Sequence, residues 1–280
     1  MSRAAEKKAF IDELFVAHPE YAEALTLFRE LYSSLEGKEG ETGISVALSD
    51  VPRATRLLKG IPLIPPAGIT VDRDRAVAFI GEVIDVMQRV GNDENGGLDR
   101  LRQGLADGSL DILGLLRAAL EDDRKVILET ALAVRVNPPL LEFALQTPLR
   151  TALELVSADV DPAEAEGWRE HFCPVCGSPA GMAELVGEQE ERHLSCSTCF
   201  YQWSFNRPDC TFCGNKDSEK LTHFFADDGP HRVDVCLVCG RYMKTRISPD
   251  GMSGVSPEMD DLSTVLLDLV ATQEGYRSCK

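Results

Sequence analysis

The first cysteine is Cys173, and the sequence then places eight thiols in four C-x-x-C pairs. They are Cys173/Cys176 in CPVC, Cys196/Cys199 in CSTC, Cys210/Cys213 in CTFC and Cys236/Cys239 in CLVC. Two intervening residues let both sulfurs of a pair face one cation from a tight turn. Two such knuckles complete a tetrahedral shell of four thiolates. Gly177, Gly214 and Gly240 follow three of the knuckles. There a positive φ turns backbone N–H groups toward sulfur without steric cost. Phe200 stands at that place in the CSTC knuckle, so that turn is expected to differ.

Eight ligands imply two metal ions. The simplest topology is sequential, with Cys173, Cys176, Cys196 and Cys199 on the first ion and Cys210, Cys213, Cys236 and Cys239 on the second. Cross-brace pairing, first knuckle with third and second with fourth, is the less local alternative. Four thiolates in a tetrahedron suit both iron and zinc. A closed shell leaves no position for substrate, which argues against hydrolysis at these ions. Iron would add one-electron redox capacity. A thioredoxin-like use of C-x-x-C needs a βαβ setting, which the flanking sequence lacks.

His171, His193, His223 and His231 lie near the knuckles, but eight cysteines already fill two shells, so they are expected to stay outside. Trp203, Phe205, Phe224 and Phe225 read as a small core around the hairpins rather than a base-stacking platform. Cys279 stands apart as an expected free thiol of no special role.

The elements that hold the knuckles are short β-like runs between turns: MAELVG, RHLSC, YQWSF, KLTHFF, RVDVC and YMKTRI. Residues 1–167 read instead as helices. Phe10, Leu14 and Phe15 recur at helical spacing, as do Tyr21, Leu25, Phe28, Leu31, Tyr32 and Leu35. A Gly- and Pro-rich stretch over 37–70 holds one short helix near 51–59. Asp72 caps a helix through Val90 that turns Val77, Ile80, Ile84 and Met87 inward. GNDENGG at 91–97 is a loop. Further helices are expected at 98–106, at 110–118 with Ser109 as its cap, at 121–136 and at 140–157, the last kinked or divided by Pro148. Asp161-Pro162 has the form of an N-cap with Pro in the first helical position. From Pro257 a last helix carries Met259, Leu262, Val265, Leu266, Leu269 and Val270 as one stripe. The expected class is α+β: an N-terminal helical bundle over 1–167, tandem rubredoxin-like or zinc-ribbon-like modules over 168–207 and 208–250, and a C-terminal helix and tail over 251–280.

The 280 residues carry 46 acidic against 29 basic side chains, a formal net charge of −17. Binding to phosphate backbones needs clustered Lys and Arg. The cysteine-rich stretch 168–250 has 9 basic and 12 acidic residues. Arg207, Arg241, Lys244 and Arg246 are its best local basic patch. Nucleic acid is therefore not the expected partner. No apolar run is long enough to span a bilayer, and the charged opening MSRAAEKKAFIDELF lacks the apolar core of a secretory leader. The expected location is the cytoplasm, where paired cysteines serve metals more often than disulfides. No nucleophile elbow, phosphate-cradling loop or histidine-rich face marks a catalytic site, and no enzyme activity is expected.

Three cysteine-bearing stretches, HFCPVCGSPA at 171–180, RHLSCSTCFYQWSFNRPDCTFCG at 192–214 and VDVCLVCGRYMKTRI at 233–247, together with DDLSTVLLDLVATQEGY at 260–276, resemble the formate dehydrogenase accessory protein FdhE family. The likeness is specific over about 168–276 and includes Trp203 and Arg207 in their W-x-x-x-R spacing. It implies a cytoplasmic maturation factor that binds the catalytic subunit of formate dehydrogenase. It also implies iron, with zinc as the alternative, at Cys173, Cys176, Cys196, Cys199, Cys210, Cys213, Cys236 and Cys239. A rubredoxin-like electron-transfer role is the competing reading, and a zinc-ribbon regulator of nucleic acid a more distant one.

Overall fold

Side-chain caps mark the start of four helices. In the computed structural model, which describes residues 2–278 apart from positions 92, 94, 122, 206, 207, 227 and 228, the Ser2 hydroxyl accepts from the Ala5 amide at 3.2 Å and starts α1 (Arg3–Ala17). There follow α2 (Ala22–Leu35), β1 (Ile44–Val46), α3 (Arg53–Lys59), β2 (Ile69–Val71) and α4 (Arg73–Val90). Asp72 caps α4 as expected, accepting from Arg75 at 3.2 Å. Next come α5 (Gly97–Asp107), α6 (Ile112–Leu120), α7 (Arg124–Val134) and α8 (Pro138–Ala158). Helix α6 starts later than its expected Ser109 cap. Asp111, whose carboxylate accepts from Leu113 at 3.1 Å, takes that place. Pro148 does not divide α8, which is one continuous helix. Buried Ala144, Leu145, Leu149 and Leu153 line both sides of the proline, and that packing outweighs one missing backbone bond.

The chain forms two compact units, one of Met1–Ala47 with Ala67–Leu155, the other of Leu48–Pro66 with Val156–Lys280. In the first, α1 packs on α2, α2 on α4, and α4 on α5 and α6. Leu25, Ile80, Val83, Ile84, Leu101 and Leu145 are fully buried there. The inward stripe of α4 is broader than expected, since Ala76, Phe79, Val83 and Val86 join Ile80, Ile84 and Met87, while Val77 is half-buried. In α1 the buried apolar positions are Ala4 and Ile11, not the half-buried Phe10, Leu14 and Phe15.

The second unit is built on one six-stranded sheet. Its strands are β3 (Ala180–Val186), β4 (Glu191–Cys196), β5 (Gln202–Ser204), β6 (Leu221–Phe224), β7 (His231–Cys236) and β8 (Arg241–Ser248). Each lies within one of the six runs expected from sequence or overlaps it closely. They are ordered β5-β4-β3-β8-β7-β6. All neighbours are antiparallel except β3 and β8, which run parallel with Ala183 opposite Thr245. That parallel joint fuses the two cysteine modules into a single sheet.

Two short helices, α9 (Pro257–Ser263) and α10 (Val265–Gln273), follow. The expected single stripe fails here because the helix breaks at Thr264 and its phase shifts. Met259 and Leu262 are buried on α9, Leu267 and Ala271 on α10, and Leu266 and Leu269 are exposed. Leu267 and Ala271 pack with Val233, Val235 and Tyr242 from one face of the sheet.

Candidate metal centre

Each module has the same order: knuckle, strand, strand, knuckle, strand. The first cysteine of one knuckle faces the second cysteine of the other. Sulfurs of Cys173 and Cys199 lie 3.5 Å apart and those of Cys176 and Cys196 3.4 Å apart. In the second module Cys210 and Cys239 lie 3.8 Å apart, and Cys213 and Cys236 3.7 Å apart. Within each set of four, all sulfurs fall within 4.8 Å of one another. This is the sequential grouping. A tetrahedral shell with metal–sulfur bonds of about 2.3 Å has edges of about 3.8 Å, so both sets fit one ion each. The spacings are far too long for disulfides of about 2.05 Å.

Backbone amides support the sulfurs. Val175 donates to Cys173 Sγ at 3.4 Å, Thr198 and Cys199 to Cys196 Sγ at 3.3 and 3.4 Å, and Phe212 to Cys210 Sγ at 3.4 Å. Three turns close by a backbone bond from the glycine after the second cysteine: Gly177 to Cys173 O at 3.0 Å, Gly214 to Cys210 O at 2.9 Å and Gly240 to Cys236 O at 2.8 Å. Gly177, Gly214 and Gly240 have φ of 80°, 70° and 67°, and Phe200 takes φ of 59°. The CSTC turn therefore keeps the left-handed form despite its side chain, contrary to the expected difference. The need to aim amides at Cys196 overrides the usual cost of that conformation.

The environments differ. Cys173, Cys196 and Cys199 are 0%, 2% and 1% exposed, whereas Cys213 is exposed and Cys239 half-buried. The first cluster is braced from a distant part of the chain: Leu63 and Ile64 donate to Pro174 O and Val175 O at 2.8 and 2.7 Å. The Ser157 hydroxyl donates to Cys199 O at 2.7 Å. Buried Arg56 on α3 pairs with Glu164 in the same unit. The fourth knuckle is tied to the tail instead, where the Arg277 amide donates to Gly240 O at 2.8 Å and its guanidinium to Cys239 O at 3.0 Å.

Burial pushes the Cys173 and Cys199 thiols well above the ordinary range. Hydrogen bonds from Cys173, Cys196 and Cys199 hold Cys176 well below it. In the second cluster burial pushes Cys210 up to about 12. Four thiols this close share few negative charges until a cation enters.

No histidine joins either four-cysteine group among the described residues. His231 bonds Asp260 at 2.9 Å, and His171 and His223 stand edge-on to Phe205 and Phe225. Trp203 and Phe205 are buried and Phe224 partly so, as a local core requires, but Phe225 is half-exposed. The basic patch does not form. Lys244 is buried and pairs with Asp261 and Asp268, and Arg246 pairs with Asp260, beneath the C-terminal helices. Arg207 and Cys279 lie outside the described residues.

A helical unit and a sheet that presents two four-cysteine clusters, each of a size that could hold one metal ion, mark the class as a protein with rubredoxin-like knuckles. The comparisons narrow the class. The family described as "FdhE, central domain" matches residues 172–207. The chain is 30% identical over 146 residues to "Protein FdhE homolog" of Aquifex aeolicus, covering 50% of each chain. It is 34% identical over 119 residues to "Protein FdhE" of Escherichia coli, covering 41% of this chain and 38% of that one. These matches span half or less of the relatives' length. The crystal structure of the FdhE protein from Pseudomonas aeruginosa shares the fold, with a TM-score of 0.61 at 18% identity over 98% of this chain and 92% of that one. Over its cysteine-rich part the chain is similar to proteins of the FdhE family.

Proposed function

We propose that this protein is a non-enzymatic accessory factor for the maturation of formate dehydrogenase, which acts in the cytoplasm and binds the enzyme's catalytic subunit. The observation that carries the reading is the pair of four-thiol clusters of tetrahedral size in a chain similar to FdhE proteins over that region. Cys173, Cys176, Cys196 and Cys199 hold one ion and Cys210, Cys213, Cys236 and Cys239 the other. The resemblance favours iron, with zinc the alternative, since four thiolates accept both. When bound, the ion supplies folding energy and, as iron, one-electron redox capacity. The chain's own residues bind it, bury Cys173, Cys196 and Cys199 away from water and donate N–H bonds to the sulfurs. No helix among the described residues is long and apolar enough to cross a membrane.

The test is co-purification of tagged full chain with the catalytic subunit from anaerobically grown cells, with metal analysis of the same sample. Two ions per chain together with the client are expected. Normal formate dehydrogenase activity in a deletion strain, with no association, refutes the reading. Exposed Cys213 favours one second reading, electron transfer through the second cluster. That reading requires iron with a reversible potential, and stable zinc occupancy in cells rejects it.

A further inference from the structure

The sheet of the second unit has two unlike faces. One is covered by α9 and α10. On the other, a cleft of about 630 Å³ opens over the second cluster, a volume in the range of ligand sites. Alternation along paired strands puts Leu221, His223, Arg232, Asp234, Arg241 and Met243 on this side. The segment that contains Asp209 and Cys210 forms another wall.

Asp209 is only 3% exposed, yet its Oδ1 has no hydrogen-bond partner among the described residues. A buried carboxylate oxygen without a donor has lost its hydration with nothing in return. The nearby Arg192 guanidinium donates at 3.3 Å to the main-chain oxygen of Asp209. Arg232 is engaged by Asp234 at 2.8 Å, and Arg241 lies over the Phe212 ring. Four carboxylates, Glu190, Glu191, Asp209 and Asp234, meet three guanidiniums in the lining. Four thiolates around a divalent ion would add two further negative charges at the floor. The balance is negative, and one acceptor of a lining residue is already desolvated.

We propose that this cleft receives a Lys or Arg side chain from an extended segment of the client protein, with Asp209 as its ionic partner. The cation satisfies the orphaned oxygen, and its aliphatic stem lies along Leu221 and Met243. The inference rests on the accessory-factor reading for the client's identity, and on the cleft alone for the chemistry.

The experiment has two arms on the full metal-loaded chain. In the first, N-acetyl-arginine methylamide, N-acetyl-lysine methylamide and neutral N-acetyl-citrulline methylamide are titrated and followed by NMR. The cationic probes are expected to shift resonances of Thr211, Phe212 and Met243, the neutral one not. Asp209→Asn should weaken cationic binding at least tenfold, and the rim variant Glu191→Gln about twofold. In the second arm, capture of the catalytic subunit is compared for wild type, Asp209→Asn and Asp209→Glu. Loss with Asn and recovery with Glu, at unchanged metal content, supports the proposal. Equal capture by all three overturns it and leaves the accessory-factor reading standing. If wild type captures no client, that reading fails, and the probes decide the cleft's chemistry: equal binding of charged and neutral probes overturns it. If Asp209→Asn loses the second ion, Glu191→Gln and Asp209→Glu carry both arms.

Discussion

Replacing Lys244 by Met should release the C-terminal helices from the sheet. The Lys244 side chain is 2% exposed. Its ammonium donates to Asp268 Oδ2 at 2.6 Å, to Asp261 O at 2.7 Å and to Thr264 O at 3.3 Å, and it lies 2.9 Å from Asp261 Oδ1. Tyr242 holds the other oxygen of Asp268 at 2.7 Å. Removing one partner of a buried pair costs about 3–5 kcal/mol. The orphaned carboxylates of Asp261 and Asp268 are 20% and 34% exposed, so water recovers part of that, and about 2–3 kcal/mol is expected. For a unit of this size the melting temperature should fall by roughly 5–10 °C. Calorimetry on metal-loaded protein reads the shift, and hydrogen exchange over Val265–Gln273 reads the local loss. Burial alone would depress the Lys244 ammonium, but Asp261 and Asp268 outweigh it and hold it above the ordinary range. A raised lysine stabilises fully below its unfolded value near about 10.4 and loses its effect as pH rises through the folded one. The gap between wild type and variant should therefore stay constant from neutral to mildly alkaline pH. A melting temperature within about 1 °C of wild type, with unchanged exchange in α10, would refute the reasoning.

Three further outcomes follow from the same geometry. A chelator should strip one ion quickly and the other slowly, with the fast phase absent in Cys236→Ser, because Cys213 is exposed while Cys173 and Cys199 are buried; release of both ions at one rate counts against the asymmetry. Metal affinity should fall as pH drops from about 8 to 5.5, since thiols raised by burial, Cys173, Cys199 and Cys210 among them, must lose protons to ligate; competition titrations with no pH dependence contradict this. Phe200→Val should destabilise the first cluster more than Phe200→Gly, because a β-branched residue suits φ of 59° worst of all; equal melting temperatures and metal content for both variants argue against strain in that turn.

The clusters were legible because their information is local. Two residues between cysteines set each knuckle, and neighbouring knuckles meet across a hairpin, as Cys176 and Cys196 do. The strands showed through alternation and flanking turns. What failed depended on distant partners or phase. Leu63 and Ile64 brace the first knuckle by backbone bonds, which no side-chain pattern reports. The β3–β8 joint links strands about sixty residues apart. Lys244 and Arg246 read as surface charge, yet tertiary pairing with Asp260, Asp261 and Asp268 takes them inside. At α10 one residue of helix break at Thr264 redirected an otherwise regular stripe. Asp209, the orphan beside Cys210, had no sequence signal beyond its adjacency to a knuckle.

The parallel joint joins the first strand of one module, β3, to the last strand of the other, β8. Such a contact is heterologous: the two surfaces that meet are unlike, and no two-fold axis relates the modules. Joints of this kind propagate instead of closing. The sheet is in effect a dimeric piece of an open polymer, ending in a last-type strand at β5 and a first-type strand at β6. Those ends are complementary in kind, so two copies of the protein carry the means to add to one another. Brevity is the safeguard, because β5 spans three residues and β6 four, too few to anchor another chain. Extending either strand by a few β-forming residues would turn a paired module into a seed for fibres.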